Sequence, residues 1–96
     1  MTTRDKIIQH AVEFARNEGY LHVSRNNIAK KLKITPSLVY WHFRSKNELI
    51  DAVVEYAIQY NITRIIAQCV IMQDDRLRHV PDQIKIKAIK HETRWI

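Results

Sequence analysis

The sequence predicts an all-α protein, a three-helix helix-turn-helix head followed by a long helix and a short, helical dimerisation tail. The 96 residues include one glycine and two prolines, so few positions interrupt a helix. Apolar residues recur three or four positions apart along most of the chain, as on one face of an α-helix. Side chains that cap helices also stand directly ahead of the periodic segments.

The first helix is predicted over residues 4–18. Thr2 or Thr3 can cap it, and Asp5 is favourable in its first turn. Gly19 suits the left-handed conformation that ends many helices, and Tyr20 can fold back onto the helix as its apolar partner. The residues at helical spacing that form its core face are Ile7, Ile8, Ala11, Val12, Phe14 and Ala15.

Two short helices follow, predicted over residues 25–32 and 36–43. Ser24 can cap the first, and Thr35 can cap the second, with Pro36 at the first helical position, where a missing N–H is harmless. Only Lys33 and Ile34 separate Leu32 from the second cap. Helices joined by so tight a turn must cross steeply, as in a helix-turn-helix.

A long fourth helix is predicted over residues 45–73. It opens with Ser45 and Glu48 in the spacing of a capping box, and neither glycine nor proline occurs before Pro81. Asn61 is its weakest point, where the helix can bend or break. Residues 74–82 resemble a connection, and residues 83–96 fit either a strand or a helix; we favour a helix.

The positive charge of the chain is concentrated in its first half. Residues 1–46 hold nine Lys and Arg against three Asp and Glu, which equals the net charge of +6 of the whole chain. An uneven basic charge on a helix-turn-helix indicates a polyanionic partner, here double-stranded DNA.

The run L-x-I-T-x-S-x-x-Y-W-H-F-x-S-K, which ends at Lys46, resembles the DNA-binding head of the tetracycline-repressor (TetR) family of bacterial regulators. The resemblance spans residues 2–57 and includes Gly19-Tyr20, the pair Ile28-Ala29 and the Tyr40-x-x-Phe43 signature. It implies contacts with bases and phosphates from the second and third helices and the start of the fourth. The residues expected to bind DNA are Arg25, Asn26, Pro36, Ser37, Leu38, Tyr40, Trp41, His42 and Lys46.

Single positions depart from the family pattern. Lys33 stands in the turn where the family often has glycine, and Leu38 stands where small residues are common. Phe43 is expected in the core and Trp41 at the surface, whereas the ring of Tyr40 can pack while its hydroxyl reaches a phosphate.

The chain divides into a head, residues 1–57, and a dimerisation or oligomerisation segment, residues 58–96. Helix four has two apolar stripes, which a small head cannot cover alone, so we expect a homodimer or higher homo-oligomer. The competing arrangement is a monomer whose tail folds back over the stripe. The expected dimer interface is formed by Ile58, Ile62, Ile65, Ile66, Cys69, Met72 and Trp95.

Other classes of function find little support in the sequence. The five histidines lack metal-ligand spacing, Gly19 is the only glycine, and no catalytic triad can be recognised, so we expect no enzyme, metal or cofactor. The 39 residues after Ala57 are too few for a ligand pocket of ordinary size, so no small-molecule ligand is expected. The lone Cys69 and the lack of a leader or spanning segment indicate a cytoplasmic protein.

The expected function is a DNA-binding regulator, a repressor that acts as a homodimer on a near-palindromic operator. Two alternative functions remain. One is a nucleoprotein-assembly factor for partition, packaging or an accessory role, which oligomerises through its tail. The other is a protein-interaction decoy that keeps the fold without binding DNA.

Overall fold

This computed structural model describes residues 2–93 of the chain. They form six α-helices and two single turns of 3₁₀ helix, joined by short connections. The all-α class is therefore confirmed. The 3₁₀ turns are Tyr20–His22 and Asp75–Leu77, and the helices are α1 Thr3–Glu18, α2 Arg25–Leu32, α3 Pro36–His42, α4 Lys46–Gln59, α5 Thr63–Ile71 and α6 Asp82–Thr93.

The predicted caps form in the first three helices. Thr2 and Asp5 make a reciprocal capping box at α1, in which the Thr2 hydroxyl accepts from the Asp5 N–H at 3.1 Å. Ser24 and Thr35 cap α2 and α3 by accepting from backbone N–H groups three residues on. Each cap satisfies a donor that the helix itself leaves unpaired, which fixes where the helix begins.

A single apolar core joins the head to the C-terminal helices. The core face of α1 is buried as predicted, except that Phe14 is half-buried. Helix α1 packs against α4, and α2 against α3. The largest fully buried side chains are Ile7, Tyr20, Val23, Ile28, Val39, Leu49, Val53, Val54, Ile65, Ile66 and Cys69.

The prediction of one long fourth helix is wrong, because two helices, α4 and α5, lie within residues 46–71. The chain leaves α4 at Asn61, which adopts the left-handed conformation with φ 53°. The Ile62 N–H then donates to the Ala57 carbonyl at 2.8 Å, closing the end of α4 in a Schellman-type turn. Asparagine tolerates this conformation better than most residues, so the weakest point that the sequence suggested is where the helix ends.

The tail forms a helix, α6, which packs on α5 within the same chain. As a result Ile65, Ile66 and Cys69 are at most 1% exposed without a second chain, which corrects the expectation that a partner must cover them. Ile58 and Ile62 are half-buried against the same core. Met72 is 56% exposed, and Trp95 lies outside the described residues.

A polar cluster fastens the segment after α5 to the head. The Tyr20 hydroxyl donates to Asp74 at 2.6 Å, and Arg76 pairs with both Asp74 and Asp51 of α4. Burial acts to raise the pKa of Asp74, but bonds from Tyr20 and Arg76 outweigh it and hold that pKa below its usual value. Gln68 adds a bridge, accepting from the Tyr20 N–H and donating to the Ala15 carbonyl. These bonds set the position of α5 relative to α1.

The backbone of the turn between α2 and α3 is strained at Lys33. Lys33 is left-handed, with φ 58° and ψ 43°, and the Ile34 N–H reaches back to the Ala29 carbonyl at 3.0 Å. A side chain with Cβ is disfavoured in this conformation, whereas glycine is not.

We therefore expect Lys33→Gly to increase the free energy of unfolding by about 0.5–1 kcal/mol, because it relieves this strain. Urea denaturation followed by circular dichroism measures the change. Lys31→Gly, inside α2, is the matched control and should lower stability by about 1 kcal/mol. If both variants lost the same free energy of unfolding, the inference that the Lys33 backbone is strained would be contradicted.

Candidate nucleic-acid interface

Helix α3 has one buried face and one face open to solvent. Val39 and Phe43 are at most 2% exposed and anchor the helix to the core, as predicted for Phe43. On the open face Trp41 is 74% exposed, also as predicted, and Tyr40 is 48% exposed. A tryptophan this exposed contributes little to the core, and exposed aromatic side chains are common in binding surfaces.

The residues expected to bind DNA are all accessible to solvent to some degree. The exposed ones belong to the start of α2, to α3 and to the start of α4, and His42 is half-buried. The exposed positions are Arg25, Asn26, Pro36, Ser37, Leu38, Tyr40, Trp41 and Lys46.

Two arginines from other helices lie on aromatic rings of the α3 segment. The guanidinium carbon of Arg25 is 4.9 Å from the centroid of the Tyr40 ring. Arg4 of α1 is at the same distance from the ring of Phe43. Cations within about 6 Å of a ring centroid are attracted by the ring, so these contacts bring two arginines close to α3 and to the residue that follows it.

The start of α4 departs slightly from the predicted capping box. The Ser45 hydroxyl accepts from the Glu48 N–H at 3.1 Å, as expected. The Glu48 carboxylate, however, accepts from the N–H of Arg44 at 2.9 Å and not from that of Ser45. Lys46 is the first residue of α4 and makes no ion pair within residues 2–93. Its charge therefore remains available to a ligand.

Sequence reasoning missed Arg4 and the Tyr20–Asp74–Arg76–Asp51 cluster. The partners of Arg4 and Tyr20 lie far along the chain, at Phe43 and Asp74. Long-range pairs of this kind leave no periodic signal in a single sequence. The basic, aromatic composition of residues 24–46 was the signal that identified the other candidates.

Surface clefts lie elsewhere on the molecule. One of about 510 Å³ lies between α1, the end of α4 and the start of α5, and another of about 440 Å³ lies between α1 and α2. Both are open to solvent, and the larger has polar walls that include Arg16 and Arg64. Their volumes fall within the range of ligand sites, whereas the sequence predicted no ligand pocket of ordinary size.

Residues 2–93 hold neither a group of metal ligands nor a helix that could span a membrane. No three histidine, cysteine or acidic side chains come together as metal ligands there. No helix in that part of the chain has the length and hydropathy needed to cross a membrane.

The comparisons with known proteins agree on residues in the head. Residues 7–53 match the family model described as bacterial regulatory proteins, tetR family. The tetracycline repressor protein class C of Escherichia coli is 30% identical over 60 residues, covering 62% of this chain and 27% of the relative. The HTH-type transcriptional regulator SrpR of Pseudomonas putida is 38% identical over 52 residues, covering 54% and 24%.

One further relative aligns over most of the chain. The nucleoid occlusion factor SlmA of Marinobacter nauticus is 23% identical over 88 residues, which covers 92% of this chain and 42% of the relative. The chain thus spans 27% or 24% of the two regulators above, and less than half of this third relative. The comparison with solved structures gives no significant match.

Proposed function

We propose that this chain, whose residues 7–53 match the tetR family of bacterial regulatory proteins, binds double-stranded DNA and regulates transcription. The open face of α3 enters the major groove, with the starts of α2 and α4 against the flanking phosphates. The observation that carries the proposal is Trp41, 74% exposed on α3, the helix whose Tyr40 ring contacts Arg25.

The chemistry of this surface suits DNA. Arginine and lysine supply donors for phosphates, and arginine can also bind the edge of guanine in a bidentate fashion. Leu38 is 37% exposed and offers an apolar contact for a thymine methyl group. Phosphate contacts give affinity, whereas contacts to base edges give sequence preference.

Repression is the mechanism we propose, because a protein seated on a promoter excludes polymerase without any further activity. A homodimer on a near-palindromic operator would place two α3 helices in successive major grooves, about 34–36 Å apart. An apolar surface for a contact between copies is offered by Leu21, Ile71 and Met72, which line one cleft and are 37%, 69% and 56% exposed. We prefer the regulator to the assembly factor because two relatives that match the head are named as a tetracycline repressor and a transcriptional regulator.

Binding should weaken steeply as salt is added, because the contacts displace counterions from the phosphates. A dimer that neutralises about six to ten phosphates gives a slope of log affinity against log salt near −5 to −9. Fluorescence anisotropy with a labelled duplex over a series of salt concentrations measures the slope. A flat dependence would contradict the proposed surface, and binding to many sites by higher oligomers would instead favour the assembly factor.

A further inference from the structure

We propose that Tyr40 is a positioning residue, whose ring holds the guanidinium of Arg25 in place for DNA. This inference rests on the proposed function and concerns the same surface. It separates the two roles that the sequence left open for Tyr40, a packed ring and a hydroxyl that contacts phosphate.

The ring of Tyr40 is the observed partner of the Arg25 side chain. The guanidinium carbon lies 4.9 Å from the ring centroid. Within residues 2–93 Arg25 makes no ion pair and no side-chain hydrogen bond. The neighbouring side chains of Ser24 and Asn27 each make a hydrogen bond to the backbone. The five N–H donors of Arg25 are therefore unused while the stem is held, which suits bidentate binding of a phosphate or a guanine edge.

The hydroxyl of Tyr40 has no structural task in the described part of the chain. No hydrogen bond of residues 2–93 involves it, and 48% of the residue is exposed. By contrast the Tyr20 hydroxyl is bonded to Asp74 at 2.6 Å and that residue is 2% exposed. The Tyr20 hydroxyl is therefore part of the fold, whereas the partner of Tyr40 within residues 2–93 is bound through the ring.

A second contact in the same head shows that a ring without a hydroxyl can hold an arginine side chain. Arg4 lies over Phe43 at the same 4.9 Å, and phenylalanine has no hydroxyl. Phe43 is 2% exposed, so its ring serves as a platform and is not itself presented to a ligand. The Arg25–Tyr40 pair repeats this arrangement on an exposed ring. Holding an otherwise mobile arginine reduces the ordering that binding requires.

Four variants of the full chain test the inference by anisotropy on a duplex that the wild type binds. Tyr40→Phe should bind within about twofold of wild type, because it keeps the ring. Tyr40→Ala should bind about three- to fivefold more weakly, the fold-change of an exposed cation–π contact. Arg25→Ala should lose more, and Arg25→Ala with Tyr40→Ala should be no weaker than Arg25→Ala alone.

The controls separate positioning from folding and from independent contacts. Circular dichroism checks that each variant keeps its helices. Trp41→Ala should still weaken binding in the Arg25→Ala background, because Arg25 packs on the Tyr40 ring and the exposed indole is a separate group. A Tyr40→Phe variant as weak as Tyr40→Ala would overturn the inference, since the hydroxyl would then be the contact.

Additive losses of Arg25 and Tyr40 would also overturn the inference, because each residue would then act alone. In both cases wild-type binding is intact and the proposed function stands. A wild-type chain that binds no duplex at low salt overturns the proposed function itself, and this inference with it.

Discussion

Replacing Trp41 and His42 together with alanine is expected to weaken DNA binding by about 1–3 kcal/mol, the size of good base or phosphate contacts. Trp41 is 74% exposed and His42 half-buried, so their loss removes little from the core. The helical signal and the unfolding midpoint should therefore stay close to those of the wild type. Anisotropy on the preferred duplex, with urea denaturation alongside, measures both effects.

The matched control for this pair is Tyr60→Ala with His79→Ala. Both residues are exposed, and they lie at the end of α4 and after the second 3₁₀ turn, outside the candidate interface. Like the interface variant, this double variant removes one large aromatic side chain and one histidine, and it should bind DNA as the wild type does. Equal affinity of the two double variants would mean that the open face of α3 does not contact DNA.

The largest effect on stability is expected from Ile65→Asp. Ile65 is fully buried in α5 within one chain, so the variant places an unpaired charge in the apolar core. We expect a loss of more than about 4 kcal/mol in the free energy of unfolding, a large part of the stability of a domain this size. Thermal and urea denaturation followed by circular dichroism would show it.

Ile71→Asp is the counterpart on the same helix. Ile71 is 69% exposed, so the free energy of unfolding should change by no more than about 0.5 kcal/mol. If copies meet through Leu21, Ile71 and Met72, the variant should also shift the mass in solution from dimer to monomer. Equal stability of the Ile65 and Ile71 variants would contradict the burial of α5 beneath its own tail.

Local signals in the sequence were sufficient to predict the first three helices. Ser24, Thr35 and Pro36 mark helix starts by chemistry that acts within one turn, and α2 begins and ends at the predicted residues. The surface position of Trp41 and the buried position of Phe43 also followed from the pattern around them. Each of these features depends on neighbours a few residues away, which a single sequence contains.

The end of α4 and the burial of α5 depend on distant residues. Nothing near Asn61 except the asparagine itself indicates that the helix stops, because the neighbouring residues continue the helical period. An apolar stripe such as that containing Ile65 requires a cover, but its pattern does not distinguish a second chain from the protein's own tail. The covering helix α6 has a mixed pattern, which had also fitted a strand.

The contacts of Arg25 and Arg76 could not be predicted from the sequence, because they too depend on distant residues. Arg25 meets Tyr40 across the helix-turn-helix, and Arg76 meets Asp51 across 25 residues. Their geometry is set by how helices cross, which follows from packing of the whole core.

Selection of bound duplexes from a random pool, followed by footprinting of the enriched sequence, tests the central claim most directly. The proposed dimer predicts one near-palindromic site with two protected major-groove segments, centred about 34–36 Å apart on one side of the duplex. The Trp41→Ala, His42→Ala variant should lose that protection at the same concentration. The claim that α3 reads DNA would be contradicted if the wild type enriches no sequence, or if its footprint is the same without these two side chains.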